Sequence, residues 1–228
     1  MKYILRLLLV IVSVAYGYII EGLNTTRTVT KKLMVTNGGQ YGLWTDPEFC
    51  PMGTFASGYN MKIESNHLFG DDTTLNAIKL TCSDTWGHLE KGATVTSGEG
   101  NFGTWAKTET CNQEYHAANF LTAFSLQVSA PLRSVKQGSG DDTSANYIKF
   151  YCRDLAGDNN ETELARSPGS AWRGNYGQWS ESCDNDMAIC GLATRIESPQ
   201  GHGDDTALND VVFYCCRQSK EYPGPVGK

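Results

Sequence analysis

"GDDTTLNAIKLTC", residues 70–82, occurs three times in this chain of 228 residues with few changes. The other copies are "GDDTSANYIKFYC" at residues 140–152 and "GDDTALNDVVFYC" at residues 203–215. In each copy an asparagine lies six residues after the glycine, and a cysteine lies six residues after the asparagine. Self-similarity along a chain is typical of repeat architectures, so we expect three copies of one structural unit.

Two other segments recur in the same order ahead of each copy. The first ends in a tryptophan and reads "YGLW" at Trp44, "FGTW" at Trp105 and "YGQW" at Trp179. The second reads "GYNMKIES", "AFSLQVSA" and "GLATRIES". A small residue stands near its start in every copy, which predicts that another segment packs closely there: Gly58, Ala123 and Gly191.

The end of the first motif alternates as a half-buried strand does. Ile78, Leu80 and Cys82 share one face, and Lys79 and Thr81 share the other. The same inward positions in the other copies are Ile148, Phe150, Cys152, Val211, Phe213 and Cys215. "MKI", "LQV" and "TRI" also alternate, with a long polar residue between two inward ones. No stretch keeps a helical period over three turns, so the fold is predicted to be all-β.

The N-terminus has the pattern of a secretory signal peptide. Lys2 and Arg6 precede the apolar run "LLLVIVSVA", which is too short to span a bilayer. Ala15 and Gly17 then stand at −3 and −1 of a cleavage site after residue 17. The protein is therefore predicted to be secreted and extracellular.

The rest of the chain is predicted to contain one domain. A lead-in at residues 18–38 precedes the domain at 39–218, with repeats at about 39–97, 98–157 and 172–216, and a tail at 219–228 follows. Signal cleavage changes the formal net charge from −6 to −8, because it removes two basic residues and no acidic one. An acidic chain without basic clusters argues against nucleic acid or a membrane surface as a partner.

Eight cysteines follow the signal peptide, and an even number in a secreted chain indicates disulfides. A zinc site is not indicated, because there is no CxxC pair and the four histidines are scattered. Each repeat has a cysteine soon after its tryptophan and one at the end of its last strand. The predicted bridges are Cys50–Cys82, Cys111–Cys152 and Cys183–Cys215, with Cys190–Cys216 extra in the third repeat. Asn24 and Asn160 are candidate glycosylation sites in the sequons "NTT" and "NET".

The three landmarks together resemble the vitelline membrane outer layer protein 1 family, from about Gly39 to Cys216. The resemblance implies a β-prism, in which three antiparallel sheets surround a pseudo-threefold axis and share one core. It also implies an extracellular protein of egg coats or secretions with glycan or glycoprotein partners. A weak ability to build N-acetylglucosamine oligomers is associated with the family. The second repeat departs from the pattern, because "QVS" replaces "IES" and its loop is longer.

Three pairs of adjacent carboxylates are the first candidate ligands: Asp71, Asp72, Asp141, Asp142, Asp204 and Asp205. Paired carboxylates can bind a metal or transfer protons. A structural device recurs in every repeat, however, and Asp next to Gly is typical of turns, so a turn is favoured. Calcium remains the functional alternative, although the EF-hand pattern is absent. Asn76, Asn146 and Asn209 are expected to belong to the same hydrogen-bonded corners.

Glu64 and Glu197 could act as a general acid or base on a sugar. Their alternation in the strand favours outward residues paired with Lys62 or Arg195. The three tryptophans could stack on sugar rings, but their recurrence favours packing in a core or corner. "GEGNFG", residues 98–103, matches GxGxxG but lacks the helix that a dinucleotide site requires, so it is predicted to be a linker.

The sequence thus predicts a secreted structural or interaction protein of an extracellular coat that contacts glycans or glycoproteins. No cofactor, catalytic residue or metal ligand is assigned. The alternatives are a carbohydrate-active enzyme acting on N-acetylglucosamine oligomers and a calcium-dependent lectin.

Overall fold

The computed structural model describes residues 27–64, 75–111, 118–129, 145–157, 160–171, 174–198 and 207–218. Regular secondary structure in these ranges consists of strands. They are β1 (Val29–Leu33), β2 (Leu43–Trp44), β3 (Glu48–Phe49), β4 (Thr54–Ile63), β5 (Leu75–Asp84), β6 (Leu89–Val95), β7 (Thr104–Trp105), β8 (Glu109–Thr110), β9 (Asn119–Val128), β10 (Ala145–Asp154), β11 (Thr162–Leu164), β12 (Asn175–Tyr176), β13 (Met187–Ile196) and β14 (Leu208–Arg217). The prediction of an all-β fold is confirmed.

The strands form three antiparallel sheets, which confirms the predicted β-prism. The first sheet has the order β6-β5-β4-β7, with β8 also on β4. The second has the order β11-β10-β9-β12, and the third β1-β14-β13-β2, with β3 also on β13. At the centre of each sheet lies an antiparallel pair of ten-residue strands built from the two recurring strand motifs.

The sheets do not coincide with the sequence repeats. The short strand that opens each repeat pairs with the sheet of another repeat: β7 with β4, β12 with β9, and β2 with β13. β6 and β11 supply the outer strand of the first and second sheets. In the third sheet β1, within the segment expected to be a lead-in, pairs with β14. The three repeats are therefore interlocked into one body.

The inner faces of the sheets share one core, as the alternation predicted. Ile78, Leu80 and their counterparts in the other repeats are fully buried. At the centre the rings of Phe124 and Phe150 lie 4.8 and 5.2 Å from the ring of Phe213, and Tyr59 lies 4.7 Å from Phe150. Aromatic side chains bury large apolar areas, so this cluster holds the three sheets together.

Four disulfides reinforce the prism, and they join the pairs that the repeats predicted. Three are threefold counterparts and close loops of 32, 41 and 32 residues: Cys50–Cys82, Cys111–Cys152 and Cys183–Cys215. The fourth, Cys190–Cys216, occurs in the third sheet alone and closes a loop of 26 residues. The described part of the chain contains no free cysteine.

Candidate functional site

The long polar residue of the "MKI", "LQV" and "TRI" segments holds a linker in place. In each sheet the chain leaves one edge strand and crosses to the strand at the opposite edge. Lys62 Nζ donates to the carbonyl of Gly100 at 2.9 Å, and Arg195 Nε donates to that of Gly42 at 3.1 Å. Gln127 Nε2 donates to Ala171 O at 3.0 Å. These three side chains therefore secure three equivalent crossings over the outer faces.

The small residues that align at the start of these segments admit an edge strand, as predicted. A Cβ added to Gly58 would lie 2.5 Å from Glu109 O in β8. One added to Gly191 would lie 2.6 Å from Glu48 O in β3. Residues 98–103, the GxGxxG match, lie between β6 and β7 and form one of the crossings, as the linker prediction required.

The two candidate glutamates lie beyond the ends of strands in different sheets. Glu64 follows β4 and Glu197 follows β13, and both are half-buried. The expected partners of these glutamates have other contacts. Lys62 forms its ion pair with Glu99, at 2.7 Å, and Arg195 binds the backbone of the linker.

The six aspartates of the GDDT motifs lie in residues 65–74, 130–144 and 199–206, which are outside the described residues. Asn24 is outside them as well, because the described residues begin at 27. The asparagines that follow the motifs are fully buried at the start of β5, β10 and β14. Gly100 N donates to Asn76 O at 2.8 Å and Gly39 N donates to Asn209 O at 2.7 Å. Asn76 and Asn209 thus bind the crossing linkers through their main chain, and Asn76 Oδ1 also accepts from Phe102 N at 3.3 Å. Asn160, the other sequon asparagine, is exposed next to β11.

The alignment of Trp179 with Trp44 and Trp105 is wrong, because the equivalent residue, Tyr176, lies three positions earlier. Trp44 lies opposite Arg195 and Trp105 opposite Lys62, but the residue opposite Gln127 is Tyr176. The physical reason is the glycine two residues earlier, which has a φ of +80°, +79° or +76° in the three sheets (Gly42, Gly103 and Gly174). A Cβ on Gly174 would lie 2.5 Å from a backbone oxygen of the neighbouring strand. The true counterpart of "GLW" and "GTW" is therefore "GNY".

The aromatic residue begins a row of three side chains across the outer face of each sheet. Residues directly opposite in neighbouring strands point to the same face. In the third sheet the row is Trp44, Arg195 and Asp210. In the first sheet it is Trp105, Lys62 and Ala77, and in the second Tyr176, Gln127 and Tyr147. The sequence favoured packing of the tryptophans in a core or corner, and Trp44 does not pack in the core, because its side chain is 44% exposed.

A lysine covers the aromatic ring in the first two sheets. Lys79 Nζ lies 3.9 Å from the ring centre of Trp105, and Lys149 Nζ lies 4.6 Å from that of Tyr176. In the second sheet Trp179 also stacks on Tyr151, with ring centres 3.8 Å apart. A cation over the face of a ring is attracted by its quadrupole and shields that face from other ligands.

The third sheet leaves its aromatic ring uncovered. Val212 stands at the position of the two lysines and is buried. Within the ranges that the structure describes, no cation lies over Trp44. Tyr41 and Leu43, on either side of Gly42, are exposed as well. Trp44 and its neighbours therefore present an accessible apolar surface next to polar groups.

Asp210 is the acidic group of this site, and the sequence analysis missed it. Burial raises the pKa of its carboxyl to about 6, although the Val211 N–H and the charge of Arg195 act in the opposite direction. Val211 N donates to Asp210 Oδ1 at 2.8 Å. The other two copies have Ala77 and Tyr147 at this position. A comparison of the three copies could therefore have drawn attention to Asp210.

The described residues contain neither a candidate metal site nor a helix that could span a membrane. They contain no group of three or more His, Cys, Asp or Glu side chains that could hold a metal ion. No helix long and apolar enough to cross a bilayer occurs among them. The site that the geometry brings together is the row on the third sheet.

Fold and site define a disulfide-braced β-prism protein with an exposed aromatic site on one sheet. The model of the family Vitelline membrane outer layer protein I (VOMI) matches residues 31–218, and the chain belongs to this family. The chain is 41% identical over 189 residues to the Vitelline membrane outer layer protein 1 homolog of Homo sapiens, covering 82% of this chain and 84% of that protein. The chain is 39% identical over 213 residues to the Mus musculus homolog, covering 92% of this chain and 96% of that protein.

Solved structures of lectins are similar at a lower level. A mannose-specific jacalin-related lectin from Morus nigra has 16% identity and a TM-score of 0.46, with 85% of this chain and 98% of that chain covered. The agglutinin of Calystegia sepium has 17% identity and a TM-score of 0.42, with 84% of this chain and 99% of that chain covered. These similarities are too low to support a conclusion about function.

Proposed function

We propose that this protein is a secreted structural component of an extracellular coat or secretion that contacts glycans or glycoproteins. The observation that carries the proposal is the exposed Trp44 on the outside of a rigid prism. An indole face is a good surface for the apolar face of a sugar ring, and its strand is held by paired neighbours. Membership of a family named after the outer layer of the vitelline membrane supports a role in a coat.

The four disulfides support secretion. Such bonds form and persist in oxidising compartments and are rare in the cytosol. The N-terminal pattern of residues 1–17 supports the same route. Expression of the full chain in animal cells should release it into the medium, starting at residue 18. A glycosidase-sensitive mass increase at Asn24 or Asn160 is expected.

A glycan array tests binding. The secreted protein, with its disulfides intact, should bind a limited set of glycans in calcium-free buffer. A parallel array with calcium tests the lectin alternative, which requires binding to appear only when the ion is added. An array without any signal in either buffer would overturn the proposal that the protein contacts glycans.

A second measurement tests the enzyme alternative. The protein is incubated with N-acetylglucosamine oligomers, and the chain lengths are followed by mass spectrometry. The structural proposal expects no change. Products that disappear in both Glu64→Gln and Glu197→Gln variants would replace it with a catalytic function.

A further inference from the structure

The row on the third sheet combines the three kinds of group that bind a sugar. Trp44 offers an aromatic face and Arg195 offers hydrogen-bond donors. Asp210 is half-buried against Gly38, and its Oδ1 accepts from Val211 N, so Oδ2 is the acceptor it offers. Neighbouring strands lie about 4.8 Å apart, so the Cα atoms of Trp44 and Asp210 are roughly 10 Å apart. One sugar ring with its hydroxyl groups can bridge that distance.

The second row of the same face is apolar and belongs to a buried hydrophobic cluster beside the site. Val212 and Ala193 pair across β14 and β13 and are 7% and 4% exposed. At the position of Ala193 the first sheet has Asn60, which donates to Ala106 O at 2.7 Å. The second sheet has Ser125 there, which donates to Gly177 O at 3.0 Å. The third sheet is therefore the one whose second row is apolar.

The corresponding positions of the other two sheets are occupied. In the first sheet Lys62 is bonded to both Glu99 and the linker, and Lys79 covers Trp105. In the second sheet the hydroxyl of Tyr147 donates to Arg166 O at 3.1 Å, so its polar group is used within the fold. In the third sheet the described hydrogen bond of Arg195 uses Nε. Its terminal nitrogens remain donors for a ligand.

From these contacts we infer that the third sheet carries a carbohydrate subsite, in which a neutral pyranose ring stacks on Trp44 and its hydroxyl groups bind Asp210 and Arg195. The inference rests on the proposed contact with glycans and locates it on one sheet. A neutral sugar fits better than a sialylated or sulfated one, because Arg195 is balanced by Asp210 within the row and the net charge of −6 repels anions.

Isothermal titration of the full secreted protein tests the subsite. The probes are an N-acetylglucosamine tetramer, N-acetyllactosamine and a mannose trisaccharide, which differ in the orientation of their hydroxyl groups. The wild type should bind at least one of them. Trp44→Ala should weaken that binding by about tenfold or more, because it removes the stacking surface. Asp210→Asn should weaken it by roughly fivefold or more, because the acceptor loses its charge.

Two further variants make the test specific. Trp105→Ala changes the counterpart on the first sheet and should alter the affinity less than twofold. Val212→Lys introduces the lysine that covers the ring in the other sheets, and it should weaken binding without touching Trp44 itself. Near-ultraviolet circular dichroism and thermal melts verify that each variant is folded. A Trp44→Phe variant, which retains an aromatic face, should bind more tightly than Trp44→Ala.

The outcomes separate the subsite from the proposed function. Binding by the wild type that survives Trp44→Ala and Asp210→Asn would overturn the subsite and leave the contact with glycans standing. Equal losses in the Trp44 and Trp105 variants would overturn it too, since the sheets would then be equivalent. A wild type that binds none of the probes and nothing on the array would overturn both.

Discussion

The first and third sheets share strand order and both place a tryptophan at the same register position, but they surround it differently. Trp105 lies under Lys79, and Lys62 beside it is engaged by Glu99. Trp44 is open, and the neighbouring positions carry Val212 and Asp210. The repeat thus preserves the scaffold, while single outward positions decide whether the aromatic face is used within the fold or available to a ligand.

The sheets also differ in covalent bracing, and removing disulfides should have the largest effect. Cys50–Cys82 joins β5 of the first sheet to the residue that follows β3 on the third sheet, whereas the additional Cys190–Cys216 lies within the third sheet. Replacing either pair with alanine should destabilise the protein by roughly 3–4 kcal/mol in the chain-entropy model. Chemical denaturation measures both losses. Because the loops of 32 and 26 residues are similar in length, a much smaller loss for the second pair would show that it does not brace the fold.

The edge strand of the third sheet comes from the N-terminus, and its attachment can be tested at one residue. Leu33 lies opposite Phe213 and is fully buried. Val95 has the corresponding position in the first sheet, opposite Leu80. Leu33→Ala should cost about 3 kcal/mol, because it leaves a cavity in the shared core. Val95→Ala, which removes fewer carbons, is the matched control and should cost less. A loss below 1 kcal/mol for Leu33→Ala would mean that β1 contributes little to the prism.

The carboxyl of Asp210 should make the third sheet sensitive to pH. Its pKa of about 6 lies above the unfolded value near 4, so the folded state binds more protons between these two pH values. The contribution of this group to stability therefore falls as the pH rises from about 4 to 6 and stays low above that range.

Asp210→Asn should accordingly raise the melting temperature at pH 7 and leave it unchanged below pH 4. Thermal melts of both proteins across this range measure the difference. Asp46→Asn, at an exposed position two residues after Trp44, is the matched control. A higher melting temperature combined with weaker glycan binding would indicate that Asp210 serves recognition at the expense of stability.

The lysine over Trp105 should have the smallest effect. Lys79→Val gives the first sheet the residue type of the third sheet at this position, and it should cost at most about 1 kcal/mol, the value of an exposed cation–π contact. Fluorotryptophan NMR should show Trp105 becoming accessible to a soluble paramagnetic agent. The signal of Trp179, on another sheet, should not change. An unaltered Trp105 signal would show that Lys79 does not shield the ring.

Much of the prism could be predicted from the repeats, because alternation and cysteine spacing are local patterns. Ile78, Phe150 and Phe213 are buried as predicted, and the four disulfides pair as the repeats required. The equivalence of Tyr176 with the tryptophans was missed, because "YGQW" matches the letters better than "GNY" does. The glycine conformation and the register with Gln127, rather than the residue type, define that position.

The candidate site was predicted less well than the fold. The sequence directed attention to the GDDT aspartates and to Glu64 and Glu197, since carboxylates near turns suggest chemistry. Arg195 was seen only as a partner for a glutamate, and Asp210 was not considered. Each lies in a strand far from Trp44 in the chain, and pairing across β2, β13 and β14 brings the three together.

By itself the sequence determined that the chain has three repeats, that they are β-structured, and which cysteines pair within them. These features follow from period-two alternation and from the spacing of residues within one repeat. The tertiary structure decided how the repeats interlock and which outward residues meet. Strand exchange between repeats places Trp44 of the first repeat in one row with Arg195 and Asp210 of the third, and no local pattern encodes a contact between segments so far apart in the chain.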